Sequence, residues 1–350
     1  MTISARFFLV FLLLLAACEA MSASAAPDTQ PEQNIAAGYV EVFDESALAI
    51  LNPDPRVFVR ASGYRWTEGP LWVEDGHYLL FSDIPNNVVL KYVPGVGTTT
   101  YLNESGATGL KDGDYGQGSN GLLLNGDGKL VLLQQGDRRV AAMRSELGTP
   151  KSEFDTLAGA YDGLRLNSPN DGVFGSDGSL YFTDPPYGLA KGADDERMEL
   201  SFHGIYRLDP DGTLLLLDGS VDYPNGIGLS VDETVLYVAV SDSENPVWLA
   251  YDLLPDGAVD NRRVFYDATA AKAEPGGHGY PDGMAVHSSG AVFATGPGGV
   301  WLFSPDGRVL AMIHTDRATA NCTLSSDERT LFLTATDTLM SLKLQPRSGE

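Results

Sequence analysis

Hydrophobic residues fall in short runs of three to six, each cut off by a turn-forming dipeptide. Tyr78-Leu79-Leu80-Phe81 follows Asp75-Gly76, and Lys129 to Leu133 follows Asp127-Gly128. Leu180-Tyr181-Phe182-Thr183 follows Asp177-Gly178, and Val235 to Val240 follows Asp232-Glu233. Ala291-Val292-Phe293 follows Ser289-Gly290, and Thr330 to Thr334 follows Asp327-Glu328. Runs of this length, bounded by residues that tolerate a left-handed φ, predict strands joined by tight turns. Ahead of each turn stands a polar anchor: Glu68, Asn120, Asn170, Asn225, Asp282 and Asn321. The turn begins seven residues after the anchor in five units and six in the last. Anchors recur about every 50 to 57 residues, with a shorter final step.

A unit of about 50 residues with three to four short strands is one propeller blade. Six units predict an all-β chain folded as a six-bladed β-propeller with few exposed strand edges. About 29 residues follow Asn321, too few for a whole blade, so the strand-like stretch from Arg56 to Ala61 is expected to close the ring. A pair of β-sandwiches would leave the constant anchor-to-turn offset unexplained.

Composition agrees. The 350 residues include 39 Gly and 20 Pro, which suit many turns. Hydrophobic residues make up 43% of the chain, enough to build a core. With 23 basic and 47 acidic residues the net charge is −24, which argues against a nucleic-acid or anionic-membrane partner. Arg6 and the apolar run Phe7 to Ala17 fit a secretory signal rather than a mature membrane span. Leu15-Ala16-Ala17-Cys18 resembles a lipobox, favoured here, which would leave Cys18 lipidated. Ala23-Ser24-Ala25 resembles an ordinary cleavage site. The expected organisation is a signal peptide over 1–26 (1–17 if Cys18 is lipidated), a polar tether over 27–40 and one propeller over 41–350. The protein is expected in the periplasm or lipid-anchored in a bacterial envelope, as a monomer. The other cysteine is Cys322, so the mature chain carries no internal disulfide and no Cys-type zinc site.

In a propeller the six anchors open on one end of the central channel. All six carry a carbonyl or carboxylate oxygen, and none is His or Cys. A ring of hard oxygens with two formal negative charges suits a divalent hard cation, calcium before magnesium. Asn or Asp before Gly is also an ordinary turn former, so each anchor alone has a purely structural reading. Glu68, a poor turn former in the same slot, favours ligation.

Four stretches carry a family resemblance: Glu68-Gly69-Pro70-Leu71-Trp72, Ser168-Pro169-Asn170-Asp171-Gly172, Pro224-Asn225-Gly226-Ile227 and Pro281-Asp282-Gly283-Met284. Together they resemble the senescence-marker-protein/gluconolactonase/luciferin-regenerating-enzyme family. The run Tyr181 to Leu189 and Ala294-Thr295-Gly296-Pro297-Gly298-Gly299-Val300-Trp301 resemble its bacterial gluconolactonase branch. The resemblance implies a catalytic divalent metal, usually calcium, held by Glu68, Asn170, Asn225 and Asp282, with Asn120 in the pocket. It implies hydrolysis of a sugar lactone such as D-glucono-1,5-lactone, with the metal polarising the carbonyl and activating water. Asp282 is the first candidate base and Asp171 the second. His278, four residues before Asp282, and Tyr187 are candidate substrate-binding residues. In animal members an Arg stands two residues before the third-motif Asn; here the position is Ser168, which leaves the substrate open. The rival readings are a non-enzymatic binding propeller and a hydrolase of another lactone or a phosphoester.

Overall fold

The computed structural model describes residues 29–109 and 117–346. The signal segment and Cys18 lie outside the described residues. Six antiparallel sheets follow one another along the chain as six blades. Blade one is Thr67–Val73, Tyr78–Asp83, Val88–Val93 and Gly97–Asn103. Blade two is Ser119–Leu124, Leu130–Gln134, Arg139–Met143 and Phe154–Ala158. Blade three is Gly172–Phe174, Leu180–Asp184, Gly204–Leu208 and Leu214–Asp218. Blade four is Pro224–Leu229, Val235–Val240, Val247–Leu253 and Val259–Asp267. Blade five is Met284–Val286, Val292–Gly296, Gly299–Phe303 and Val309–His314. Blade six takes three strands from the end of the chain, Thr319–Leu324, Thr330–Ala335 and Thr338–Lys343, and its fourth, Val57–Ser62, from near the start. That closing strand pairs Ser62 with Thr338 and Val59 with Met340, as expected from the incomplete last unit.

The second strand of each blade is covered on both faces by neighbouring blades, which is why it reads as an unbroken apolar run rather than an alternating one. Leu79, Leu80 and Phe81 are all fully buried. The core lies between blades. Val131 and Leu133 of blade two meet Leu180, Phe182 and Tyr206 of blade three. Across the closure, Phe332 packs on Phe81 and Tyr92, and its ring stacks on Trp72 at 5.4 Å. Phe81, Tyr92 and Phe332 are buried, and each such side chain contributes roughly 1.5–3 kcal/mol, so packing across the closure adds to the closing strand's hydrogen bonds.

The turns follow the expected positions with one variation. Gly178 and Gly290 hold left-handed φ values of 85°, and Glu233 and Glu328 take the same conformation in blades four and six. In blade one the left-handed residue is His77 rather than Gly76, because Glu74–Gly76 forms a short 3-10 turn.

The segment expected as a tether is instead a strap laid along three blade edges. Gln30–Pro31 pairs with Gly97 and Thr98 of blade one. Ile35–Ala36 pairs with the closing strand of blade six. Tyr39–Val42 adds a fifth strand to blade five, opposite Ala311 to His314. The strap's polar side chains serve edge groups: the Glu32 carboxylate accepts from the Tyr92 hydroxyl at 2.5 Å and from the Gly95 amide at 2.7 Å. Covering otherwise unpaired edges explains why a polar stretch is ordered. No helix among the described residues is long and apolar enough to cross a membrane.

Candidate functional site

The anchors are not in turns. Glu68, Asn120, Asn225 and Asn321 lie inside the innermost strands, and Asn170 and Asp282 stand two residues before theirs. The glycine that follows most of them has a steric reason. A Cβ on Gly69 would lie 2.1 Å from the Asn120 carbonyl oxygen, and one on Gly226 would lie 2.2 Å from that of Asp282. In blades one and four the residue after the anchor thus abuts the next blade's anchor across a contact that only a bare backbone allows.

A second set of polar residues, at the ends of the second strands, fixes this ring. The Ser82 hydroxyl donates to the Asn120 carbonyl at 2.8 Å, and Thr183 donates to that of Asn225 at 2.6 Å. The Asp83 carboxylate accepts the amides of Arg65 and Trp66, the residues three and two before Glu68. Asp184 accepts the amides of Asn167 and Ser168, the same two positions before Asn170, both at 2.7 Å. Burial pushes the Asp184 carboxyl up to about 7 despite these bonds.

Five of the six anchor side chains meet in a central cavity of about 600 Å³. Its wall includes Glu68, Asn120, Asn170, Asn225 and Asp282, together with Gln135, Tyr187 and Ser241. A chain of amides crosses the floor. Asn120 Nδ2 donates to Asn170 Oδ1 at 2.5 Å, and Gln135 Nε2 donates to the same oxygen at 3.0 Å. Asn170 Nδ2 donates to Asn225 Oδ1, and Asn225 Nδ2 to Ser241 Oγ at 2.9 Å. Ser241 then donates to the Pro281 carbonyl, next to Asp282.

Asp171 and Asn321 do not line the cavity. They bond to one another, Asn321 Nδ2 donating to Asp171 Oδ2 at 3.3 Å. Burial, with the Asp171 charge, pushes Glu68 up to about 8. Burial alone raises Asp171 to about 6. Asp282 is raised well above the usual carboxylate range by burial and by the charges of Glu68 and Asp171. Three buried acidic groups are therefore crowded together, each made harder to ionise by burial.

This donor set fits a hard divalent cation. Asn120 Oδ1 and Asp282 Oδ1 are buried and accept no hydrogen bond. The cavity offers two carboxylates and several amide oxygens, with no thiolate or imidazole among them. Among the described residues no three His, Cys, Asp or Glu side chains group as a metal cluster, so any ion would rely on the amides.

His278 lies elsewhere. Its side chain is exposed and lines a separate cleft of about 350 Å³ with Tyr39, Trp301 and His314. Trp66 and Tyr187 do reach the central cavity. Gln135, Ser241 and Arg65 line it without having been expected there. The signal for Gln135 and Ser241 was the polar residue closing each second-strand run, the slot that Asp83 and Asp184 also occupy.

Residues 66–337 match the family model for the SMP-30/gluconolactonase/LRE-like region. The chain belongs to that family. It is 36% identical to the gluconolactonase of Zymomonas mobilis over 92% of this chain and 90% of that protein. It is 27% identical to the pentonolactonase XacC of Haloferax volcanii over 77% of this chain and 81% of that one. In three dimensions it matches the gluconolactonase of Xanthomonas campestris with a TM-score of 0.78 and 30% identity. That match covers 91% of this chain and all of the other. The expected family and the expected propeller are both borne out.

Proposed function

We propose that this protein is an exported, calcium-dependent hydrolase of sugar lactones, opening D-glucono-1,5-lactone or a close relative to the aldonic acid. The observation that carries the reading is the convergence of Glu68, Asn170, Asn225 and Asp282 on one cavity, in a chain closely similar to a gluconolactonase. Those four residues would hold the ion, with Asn120 beside them. When bound, such an ion supplies positive charge next to the lactone carbonyl and the attacking water.

The chain's own groups do the rest. Asp282, whose unpartnered Oδ1 is the oxygen it would give to the ion, has a second carboxylate oxygen to take the proton that water loses as it adds to the carbonyl carbon. The ring C–O bond then breaks as the leaving ring oxygen takes that proton back from Asp282, and the new carboxylic acid loses its own proton to solvent. The amide chain from Asn120 through Asn225 fixes the side chains that surround the reacting ester, so little reorganisation is needed during the reaction. Asp171, away from the wall, tunes the charge on Glu68. The export reading rests on Arg6 and the apolar run Phe7 to Ala17, which have the pattern of a secretory signal.

The test is the loss of D-glucono-1,5-lactone, followed by proton release, with calcium and with chelator, beside a pentonolactone. Calcium-dependent turnover above the spontaneous rate is expected. A rate equal to the spontaneous background for both lactones refutes the proposal.

A further inference from the structure

The loop after the second strand of blade three is sewn into the cavity wall by one buried hydroxyl. Ser168 is fully buried. Its hydroxyl donates to the Pro185 carbonyl at 2.5 Å and accepts the Gly188 amide at 2.8 Å. Its own amide is held by Asp184. The fit is close: a Cβ on Gly188 would lie 2.7 Å from the Ser168 Cβ and 2.8 Å from the Gln135 Cβ. Only a small residue at 168 and a bare backbone at 188 allow the approach.

Between those two stitches stands Tyr187. Its ring stacks on Tyr223, centroids 6.1 Å apart at 20°. Tyr223 is pinned in turn by its amide, which donates to His203 Nδ1 at 3.1 Å. The Tyr187 hydroxyl reaches the central cavity, beside Asn225, Ser241 and the Asp282 carboxylate. It is buried, and although Ser241 and Asn225 stand beside it, neither gives it a hydrogen bond of good geometry. A buried hydroxyl without a partner costs free energy, so its place at the wall calls for a ligand group that completes it.

We propose that Tyr187 is a catalytic residue that donates a hydrogen bond to the ester group of the bound lactone, and that Ser168 is the positioning residue that holds it there. This rests on the lactone-hydrolase reading above. A tyrosine hydroxyl carries its proton at neutral pH, so it is available there as a donor. The ester oxygens gain negative charge as water adds and the ring opens, so the bond strengthens in the transition state. A donor of this kind affects turnover more than ground-state binding.

The experiment is a double-mutant cycle of Tyr187→Phe and Ser168→Ala, with kcat and KM measured on D-glucono-1,5-lactone at saturating calcium. Calcium titration and the thermal midpoint are followed for each variant. Tyr187→Phe keeps the stacked ring, so an unchanged calcium affinity and fold are expected. Its kcat is expected to fall by about 10- to 100-fold with KM within about threefold. Ser168→Ala is expected to lower kcat in the wild-type background and to add nothing once Tyr187 is Phe. An unchanged kcat in Tyr187→Phe, a loss confined to KM, or a loss of calcium binding overturns the ester contact. A Ser168→Ala effect that persists undiminished in the Tyr187→Phe background overturns the positioning role. Wild-type protein that does not turn over lactone refutes the underlying function instead, and the parallel wild-type assay keeps the two failures apart.

Discussion

Removing divalent cations should make the protein's stability fall as pH rises, and calcium should abolish that fall. In the ion-free fold Glu68 holds its proton up to about 8, against 4.5 when it is free in solution. The unfolded chain therefore loses this proton near pH 4.5 while the folded chain keeps it. Between those values the folded state binds more protons at Glu68, so the contribution of this group to stability is greatest below pH 4.5 and declines until about pH 8. At about 1.4 kcal/mol per pH unit the upper bound is about 5 kcal/mol. Asp171 and Asp282 are shifted in the same direction and act in the same sense. A cation among these oxygens favours the ionised forms and removes the penalty. For a domain of this size the difference corresponds to a midpoint gap on the order of 10 °C between calcium and chelator at pH 8, shrinking toward pH 5. Differential scanning fluorimetry across that range reads it directly. Titration calorimetry in buffers of different ionisation enthalpy should show protons released on calcium binding near pH 6.5. A calcium-induced midpoint gain that does not change with pH, or binding without proton release, would refute this account of the site.

Two further outcomes separate the roles of neighbouring residues. Asp282→Asn should lower kcat by about 100-fold or more while leaving the circular dichroism spectrum unchanged. Asp171→Asn, which alters a group off the cavity wall, should cost less than about tenfold and should bring Glu68 back toward lower pH; equal losses in the two variants would move the base assignment away from Asp282. Gly226→Ala should destabilise the protein by about 1–3 kcal/mol and weaken calcium binding, because the new methyl would meet the Asp282 carbonyl oxygen at 2.2 Å. Gly126→Ala, with no atom within 4 Å of the added Cβ, is the control and should be near neutral in the same chemical denaturation series.

Which features could be read from the sequence follows from which interactions are local. The blades were legible because each repeats the same local rule, an apolar run released by a left-handed turn residue, and six copies reinforce a weak signal. The strap was not legible. Gln30–Pro31 and Ile35–Ala36 are two-residue strands whose only reason to be extended is the unpaired edge they cover, and that edge exists only after the ring has closed. At the site the oxygen-bearing anchors were visible, yet the glycine beside them pointed to the wrong cause. Gly69 and Gly226 are required by contact with the next blade, about 50 residues away in sequence, rather than by a turn. His278 shows the converse error: four residues from Asp282 along the chain, it sits on a loop that carries it to a different cleft. Gln135 and Ser241, far apart in sequence from each other, reach the cavity because each directly follows the second strand of its blade. The useful coordinate in this fold is thus the position within the blade, not the distance along the chain. Ser82, Thr183 and Thr334, polar residues near the ends of their apolar runs, each donate to an anchor's carbonyl. The same rule explains why Asp83 and Asp184, two blades apart, make matching bonds to the loops that carry Glu68 and Asn170.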